Sequence, residues 1–254
     1  MRQMKVLLLA VVLVLIAALA TGGCRRVKLA DAPAGTGGAT DQSQTVPIGA
    51  ATSVKTAVRM GVGTLKLSSG EPSSTLALDA TFTYPQADWK PAVAYSVEAT
   101  RGALSVSQPD VRPFPTVSLG TSDNSWTLKL APGVPTDLSL KLGVGESTVD
   151  LRDIDVTSLE VISGVGKATV DLSGPRTHDL SGRVEAGVGE VDIIVPSSVG
   201  VRLVGGTEGI GELRAPGFTH VDGGMVNAAW NQPGPKIELA LTRGVGDIKV
   251  TSAN

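Results

Sequence analysis

The chain has 254 residues, a net charge of −2, one cysteine and aromatic residues at only 3% of positions. A near-neutral chain with no basic stripe is not built for nucleic acid, and a single cysteine excludes an internal disulfide framework. Stability must come from burying aliphatic side chains, and 31 glycines with 15 prolines favour strands and turns over long helices.

At the N-terminus, Arg2 and Lys5 precede an apolar run from Val6 to Ala20, followed by Thr21-Gly22-Gly23-Cys24. A basic head, a short apolar middle and small residues before a cut site read as a secretory signal over residues 1–23, not a spanning helix. The pair Gly22-Gly23 before Cys24 resembles a bacterial lipobox, with Thr21 where leucine is usual. That resemblance implies a lipid on Cys24 and a place on the extracytoplasmic face of the cell membrane. A plain signal peptide or an uncleaved anchor is the alternative. Residues 24–51, rich in Gly, Thr, Ala, Ser and Gln after Arg25-Arg26, read as a flexible tether.

Residues 52–142 alternate short apolar-polar runs, such as Leu76 to Tyr84 and Trp126 to Leu130, with prolines at 85, 91, 109, 113, 115, 132 and 135. They read as an N-terminal β segment. It contains a first Gly-x-Gly, Gly61-Val62-Gly63. From residue 143 to 254 the same triplet recurs at Gly143/Gly145, Gly164/Gly166, Gly187/Gly189, Gly209/Gly211 and Gly244/Gly246. Successive first glycines are 21, 23, 22 and 35 residues apart, and the first three steps fall in the range of solenoid repeats. The longest step is expected to hold a loop at Asn231 to Pro235.

Counted from the second glycine, even offsets are apolar (Val149, Leu151, Val170, Leu172, Val191, Ile193, Ile248, Val250) and odd offsets carry charge. Strand side chains alternate between faces, so this parity places the apolar set on one buried face. Ser147-Thr148 and Ala168-Thr169 read as two-residue insertions that preserve it. A second alternating run precedes each turn, as in Leu138 to Leu142, so each rung is two strands and a glycine corner. The expected fold is all-β, a parallel β-solenoid rack with an N-terminal β segment. An antiparallel sandwich is the rival, disfavoured by the regular period. The last strand is expected to form an open edge, inviting end-to-end self-association.

Candidate chemistry is sparse. The triplets lack the third glycine and helix that a dinucleotide site needs, so they read as structural turns. Asp150, Asp171 and Asp192 are expected in one outward column, a solvated charged face rather than a metal site, with Lys167 between Glu146 and Glu190 in a second column. His178 and His220 sit in no catalytic motif, and no nucleophile motif is present. No cofactor is expected. Tyr84, Trp89, Tyr95, Trp126 and Trp230 are expected to plug the N-terminal segment more than to form an exposed patch.

Gly61 to Leu65, Ala80 to Tyr84, Trp89-Lys90-Pro91, Tyr95 to Val97, Arg101 to Leu104, Trp126 and the Gly-x-Gly repeats together resemble the bacterial toast-rack family. The repeats alone are similar to the C-terminal domain of Lia-type cell-envelope stress proteins and to surface adhesins. The resemblance implies stacked parallel strands and no established reaction. The expected function is a membrane-anchored, non-enzymatic binding or scaffolding module of the envelope, with a protein or glycan partner, in stress sensing or adhesion. A carbohydrate-active enzyme using the aspartate face is the alternative.

Overall fold

Five of the six Gly-x-Gly triplets lie in the middle of one long strand and turn it. The computed structural model describes residues 39–109, 124–206 and 208–253; the signal segment and Cys24 lie outside the described residues. Before the central repeats the strands are β1 (Thr40–Pro47), β2 (Ser53–Ser69), β3 (Leu76–Tyr84), β4 (Ala92–Glu98), β5 (Arg101–Ser107) and β6 (Ser125–Leu130). They continue as β7 (Thr136–Asp150), β8 (Val156–Asp171), β9 (Leu180–Pro196), β10 (Gly200–Gly205), β11 (Leu213–Arg214), β12 (Phe218–Val221), β13 (Gly224–Asn227) and β14 (Lys236–Ala253).

The five long strands β2, β7, β8, β9 and β14 are parallel neighbours in that order, and their glycines pair across every gap. Ahead of the corner β2 also pairs with β5, and beyond it with β6. β14 likewise pairs first with β10 and then with β11. Every long strand thus contributes one half to each of two arms. In β8 the buried side is Leu159, Val161 and Ser163 before the corner, then Ala168 and Val170 after it. The alternation slips by one position at Gly-Val-Gly, so both halves face the same interior. Leu140, Val161 and Val184 stack in one arm and Val149, Val170 and Ile193 in the other, all in a single apolar cluster.

The glycines are required by contact as well as by conformation. Gly166 has φ +131°, and a Cβ on it would overlap the carbonyl oxygen of Gly145 on the preceding rung. Only glycine meets both conditions at low cost.

Several expectations change. The sheet is mixed: parallel pairing holds through the long strands and their β5, β6, β10 and β11 neighbours, while β1-β3-β6 and β4-β5 at one end and β10-β13-β12 at the other are antiparallel. The repeats do not stack in chain order either. β14 lies between β9 and β10, so the Gly244 copy precedes the Gly209 copy. The long last step holds the β12-β13 hairpin as well as a loop. Ser147 and Ala168 are no insertions; they pair in register with Val191 and fill an ordinary inward position. The region read as tether includes β1, whose polar residues suit an edge strand with one partner, β3. The C-terminal strand is interior where it lies between β9 and β10, but beyond the two-residue β11 its last residues, 250–253, pair with β9 alone.

The expectation for Gly209 and Gly211 also needs correction, because this triplet is not a corner between two full strand halves. Gly205 and Gly206, at φ +81° and +73°, end β10 before the triplet is reached, and Gly211 lies exposed in the bend that precedes the two-residue β11. Between the β10 and β11 pairings the triplet itself keeps a single bridge: the Ile210 N–H donates to the Gly244 carbonyl oxygen at 2.8 Å and the Gly246 N–H to the Ile210 carbonyl oxygen at 2.7 Å. Gly211 keeps the positional role all the same, since a Cβ on it would overlap the Gly246 carbonyl oxygen.

Buried amides close the ends of the stack. Gln108 Oε1 accepts the N–H groups of Gly61 (2.8 Å) and Val62 (3.1 Å), and the Asn124 amide donates to the Val62 carbonyl oxygen. Asn124 Oδ1 also accepts from Trp126 Nε1 at 3.0 Å, and Trp126 meets Phe82 edge-to-face at 5.5 Å. Asn227 does the same work for β10, accepting from the Val201 N–H and donating to the Val199 carbonyl oxygen. Such partners offset the desolvation of buried backbone groups.

Gly166→Ala should destabilise the protein by about 2–5 kcal/mol, combining backbone strain with overpacking. The neighbouring exposed Val165→Ser should cost less than about 1 kcal/mol. Urea unfolding of the two variants checks this, and equal effects would remove the glycine contact as the constraint.

Candidate functional site

The residue between each pair of glycines faces solvent in five of the six copies, while Val62 in the first is half-buried against the core. Val62, Val144, Val165, Val188 and Val245 are successive register partners, and Ile210 bridges to Val245. At a strand spacing of about 4.8 Å, six β-branched side chains form one row. Val144, Val165, Val188 and Val245 are 46–50% exposed and Ile210 is 64% exposed. With a glycine on either side of each, the row stands clear of its surroundings as a continuous apolar ridge. Turn positions ordinarily hold Asn, Asp, Ser or Gly. A β-branched residue in all six triplets was therefore a readable signal that attention to the glycines alone passes over.

Beside the ridge runs the charged column, with Glu146, Lys167, Glu190 and Asp247 in register. Lys167 Nζ reaches Glu190 Oε2 at 3.1 Å and Asp192 Oδ2 at 2.9 Å. Those two carboxylates, Asp192 first, hold the Lys167 ammonium above its usual range. Further along, Arg214 is paired with Glu212 at 2.7 Å and lies 3.7 Å from Asp247. The Glu212 N–H, next to Gly211, donates to Asp247 Oδ1 at 2.9 Å and ties the irregular rung to β14.

The three aspartates do not form one column. Asp150 and Asp171 are register partners, whereas Asp171 faces Ile194, and Asp192 lies between Thr169 and Lys249. The strands run straight from the glycines without an insertion, so Asp192 sits two positions nearer the corner. Arg152 spans the remaining pair, with Nη2 2.6 Å from Asp150 Oδ2 and Nε 3.6 Å from Asp171 Oδ2. Each aspartate also caps the turn after it, accepting the N–H of Arg152 at 3.2 Å and of Ser173 at 2.9 Å. All three carboxylates are thereby engaged by cations. Among the described residues no group of three or more His, Cys, Asp or Glu is placed to hold a metal.

The histidines lie apart. His178 Nδ1 is 3.4 Å from Asp155 and His220 is exposed on β12. Tyr84, Trp89 and Trp126 are buried, Tyr95 is half-buried with its hydroxyl donating to the Ile48 carbonyl oxygen, and Trp230 carries Lys236 over its ring at 5.7 Å. No helix among the described residues is long and apolar enough to cross a membrane.

A mixed sheet of bent strands, stacked on glycine corners and closed by hairpins, defines a rack-like all-β protein. The chain belongs to the toast-rack family: residues 35–194 match the model of the N-terminal domain of toast_rack. It is similar to the crystal structure of a candidate cell adhesion protein from Clostridium sporogenes ATCC 15579, with 31% identity and a TM-score of 0.80 over 85% of this chain and 100% of that one. A candidate adhesin from Bacteroides fragilis NCTC 9343 is 14% identical over 84% of this chain and 97% of that one, with a TM-score of 0.27. Among curated proteins none matches this chain.

The Arg152 hydrogen bond holds the Asp150 carboxyl below its usual range. A depressed folded pKa means that the pair's stabilisation is present above the unfolded carboxylate range of about 4 and is lost as pH falls through the lowered value. Arg152→Ala should raise the Asp150 pKa, since the partner is lost and Asp171 remains beside it. Carboxyl-carbon NMR titration reads this directly, and an unmoved Asp150 would show that Arg152 does not hold it.

Proposed function

We propose that this chain is a lipid-anchored, outward-facing binding module of the bacterial envelope that catalyses no reaction. The valine ridge carries the reading: a continuous row of exposed β-branched side chains, left uncovered by the described residues, is the kind of apolar surface that marks a contact with another molecule. Adhesion is favoured over stress sensing by the similarity to a candidate cell adhesion protein. A catalytic use of the aspartates has less support, because Arg152 and Lys167 hold them in ion pairs. The address follows from the basic head, apolar run and Gly22-Gly23-Cys24 of the sequence.

Two measurements test this. Palmitate fed to the producing cells should label the wild-type chain and not Cys24→Ser; an unlabelled wild-type chain would refute the lipid anchor. Replacing Val144, Val165, Val188 and Val245 by serine should lower retention of the full chain on intact bacterial cells roughly tenfold, a loss of about 1.4 kcal/mol. Unchanged retention would remove the ridge as the contact surface.

A further inference from the structure

On the outer face of the first arm, β2, β5 and β7 line a groove of about 600 Å³ that holds Lys55, Arg59 and Lys141 and reaches Gln108 beside the first corner. Arg59 and Lys141 are direct register partners. Like charges placed opposite on neighbouring strands repel and destabilise the pair. Asp137 stands opposite Lys55 and Glu160 opposite Ser139, but among the described residues Lys55, Arg59 and Lys141 form no ion pair, whereas Arg152, Lys167, Arg183 and Arg214 all do. The one carboxylate in the lining, Glu160, accepts the Ser139 hydroxyl at 2.7 Å.

The floor between the cations is low and hydroxylated. Ser105, Ala57 and Ser139 pair across three strands, and Ser107 lies beside Arg59. Lys55 and Arg59, four residues apart on one strand, stand about 13 Å from each other. That width admits one extended polymer strand with cations along both sides and hydroxyls beneath. The Tyr95 hydroxyl nearby is committed to the Ile48 carbonyl oxygen, and the groove lining holds no aromatic ring on which a neutral sugar would stack.

We propose that this groove binds a linear anionic glycan or polyol polymer, whose phosphate or carboxylate groups pair with Lys55, Arg59 and Lys141. Binding places a negative charge against the Arg59–Lys141 pair and relieves its repulsion. The proposal rests on the binding-module reading and names the ligand class, but it uses a different surface from the valine ridge. A net charge of −2 gives the whole molecule no general attraction for polyanions, so affinity must be local.

The test measures binding of the full chain in detergent to polyglycerol phosphate, to polygalacturonate and to neutral dextran. Wild type should bind at least one polyanion, the arm that responds distinguishing phosphate from carboxylate, and should not bind dextran. The triple variant K55S/R59S/K141S should bind roughly ten times more weakly. A control with the same charge change on the other arm, K66S/K129S/K249S, should bind like wild type; both triple variants alter exposed side chains. Binding of neither polyanion, equal binding of dextran, or equal loss in the two triple variants overturns the groove. If the groove fails while the valine-to-serine variant still loses cell retention, the binding role stands without it.

Discussion

The close passage of each corner glycine against the carbonyl oxygen of the preceding rung is the contact on which the rest of the structure depends. Side chains cannot enter that gap: Cβ atoms on Gly145, Gly166, Gly189, Gly246 and Gly211 would each overlap the carbonyl oxygen of the glycine on the rung before. Rungs can therefore approach to sheet spacing at the corner only where glycine meets glycine. Once the corners are aligned, register follows on both sides of them. Leu140, Val161 and Val184 fall in one column and Val149, Val170 and Ile193 in another, and the core is a consequence of that alignment.

The same geometry fixes what is left outside. A triplet that directs both strand halves inward must direct its middle residue outward, so the valines are exposed because the leucines are buried. β-branched residues suit these strand positions, but threonine does so as well, so the choice of exposed valine or isoleucine at positions 144, 165, 188, 210 and 245 goes beyond what the strand requires. The ends of the stack are treated in the opposite way. Gln108, Asn124 and Asn227 satisfy backbone groups that a missing rung would have paired, and antiparallel hairpins cover the terminal parallel strands. Backbone groups at the ends are thus satisfied by side chains and by added strands, which leaves fewer of them open to pairing with another chain.

What the sequence made legible is what is local and periodic. The glycine pairs and the even-offset apolar residues identify the corners and their buried faces without any knowledge of partners. Rung order was not legible, because the place of β14 between β9 and β10 is decided by pairing between distant segments. The triplet at Gly209 and Gly211 reads like the other five, yet the glycines at 205 and 206 break its first strand half, and a triplet pattern alone does not weigh them. Asp192 was assigned to its face correctly and to its neighbours incorrectly: parity reports a face, while a column needs the register counted straight from the glycine. Thr40 to Pro47 has the composition of a linker, and only its pairing with β3 makes it a strand. The Lys55, Arg59 and Lys141 cluster has no local signature at all, since two of its members lie some eighty residues from the third and meet through the β2–β7 ladder.

Charge is distributed between the two outer surfaces in a way that bears on function. Near the corner the column runs Glu146, Lys167, Glu190 and Asp247, and the cations there, Lys167, Arg152 and Arg214, are each taken up by carboxylates, which outnumber them. A general acid or base needs a carboxyl held in a cleft by burial or by a like charge, with its pKa pushed toward neutrality. Asp150 is shifted the other way, toward the charged form, by the cation it holds. Its work is to join rungs and cap a turn. On the outer face of β2 and β7, by contrast, Arg59 and Lys141 stand side by side, and neither they nor Lys55, which faces Asp137, enter an ion pair among the described residues. Folding gains nothing from that repulsion, so a partner of opposite charge is the simplest physical reason for it. Beside the ridge the cations Lys167, Arg152 and Arg214 are committed to carboxylates, whereas Lys55, Arg59 and Lys141 on the outer face of β2 and β7 stay outside any ion pair.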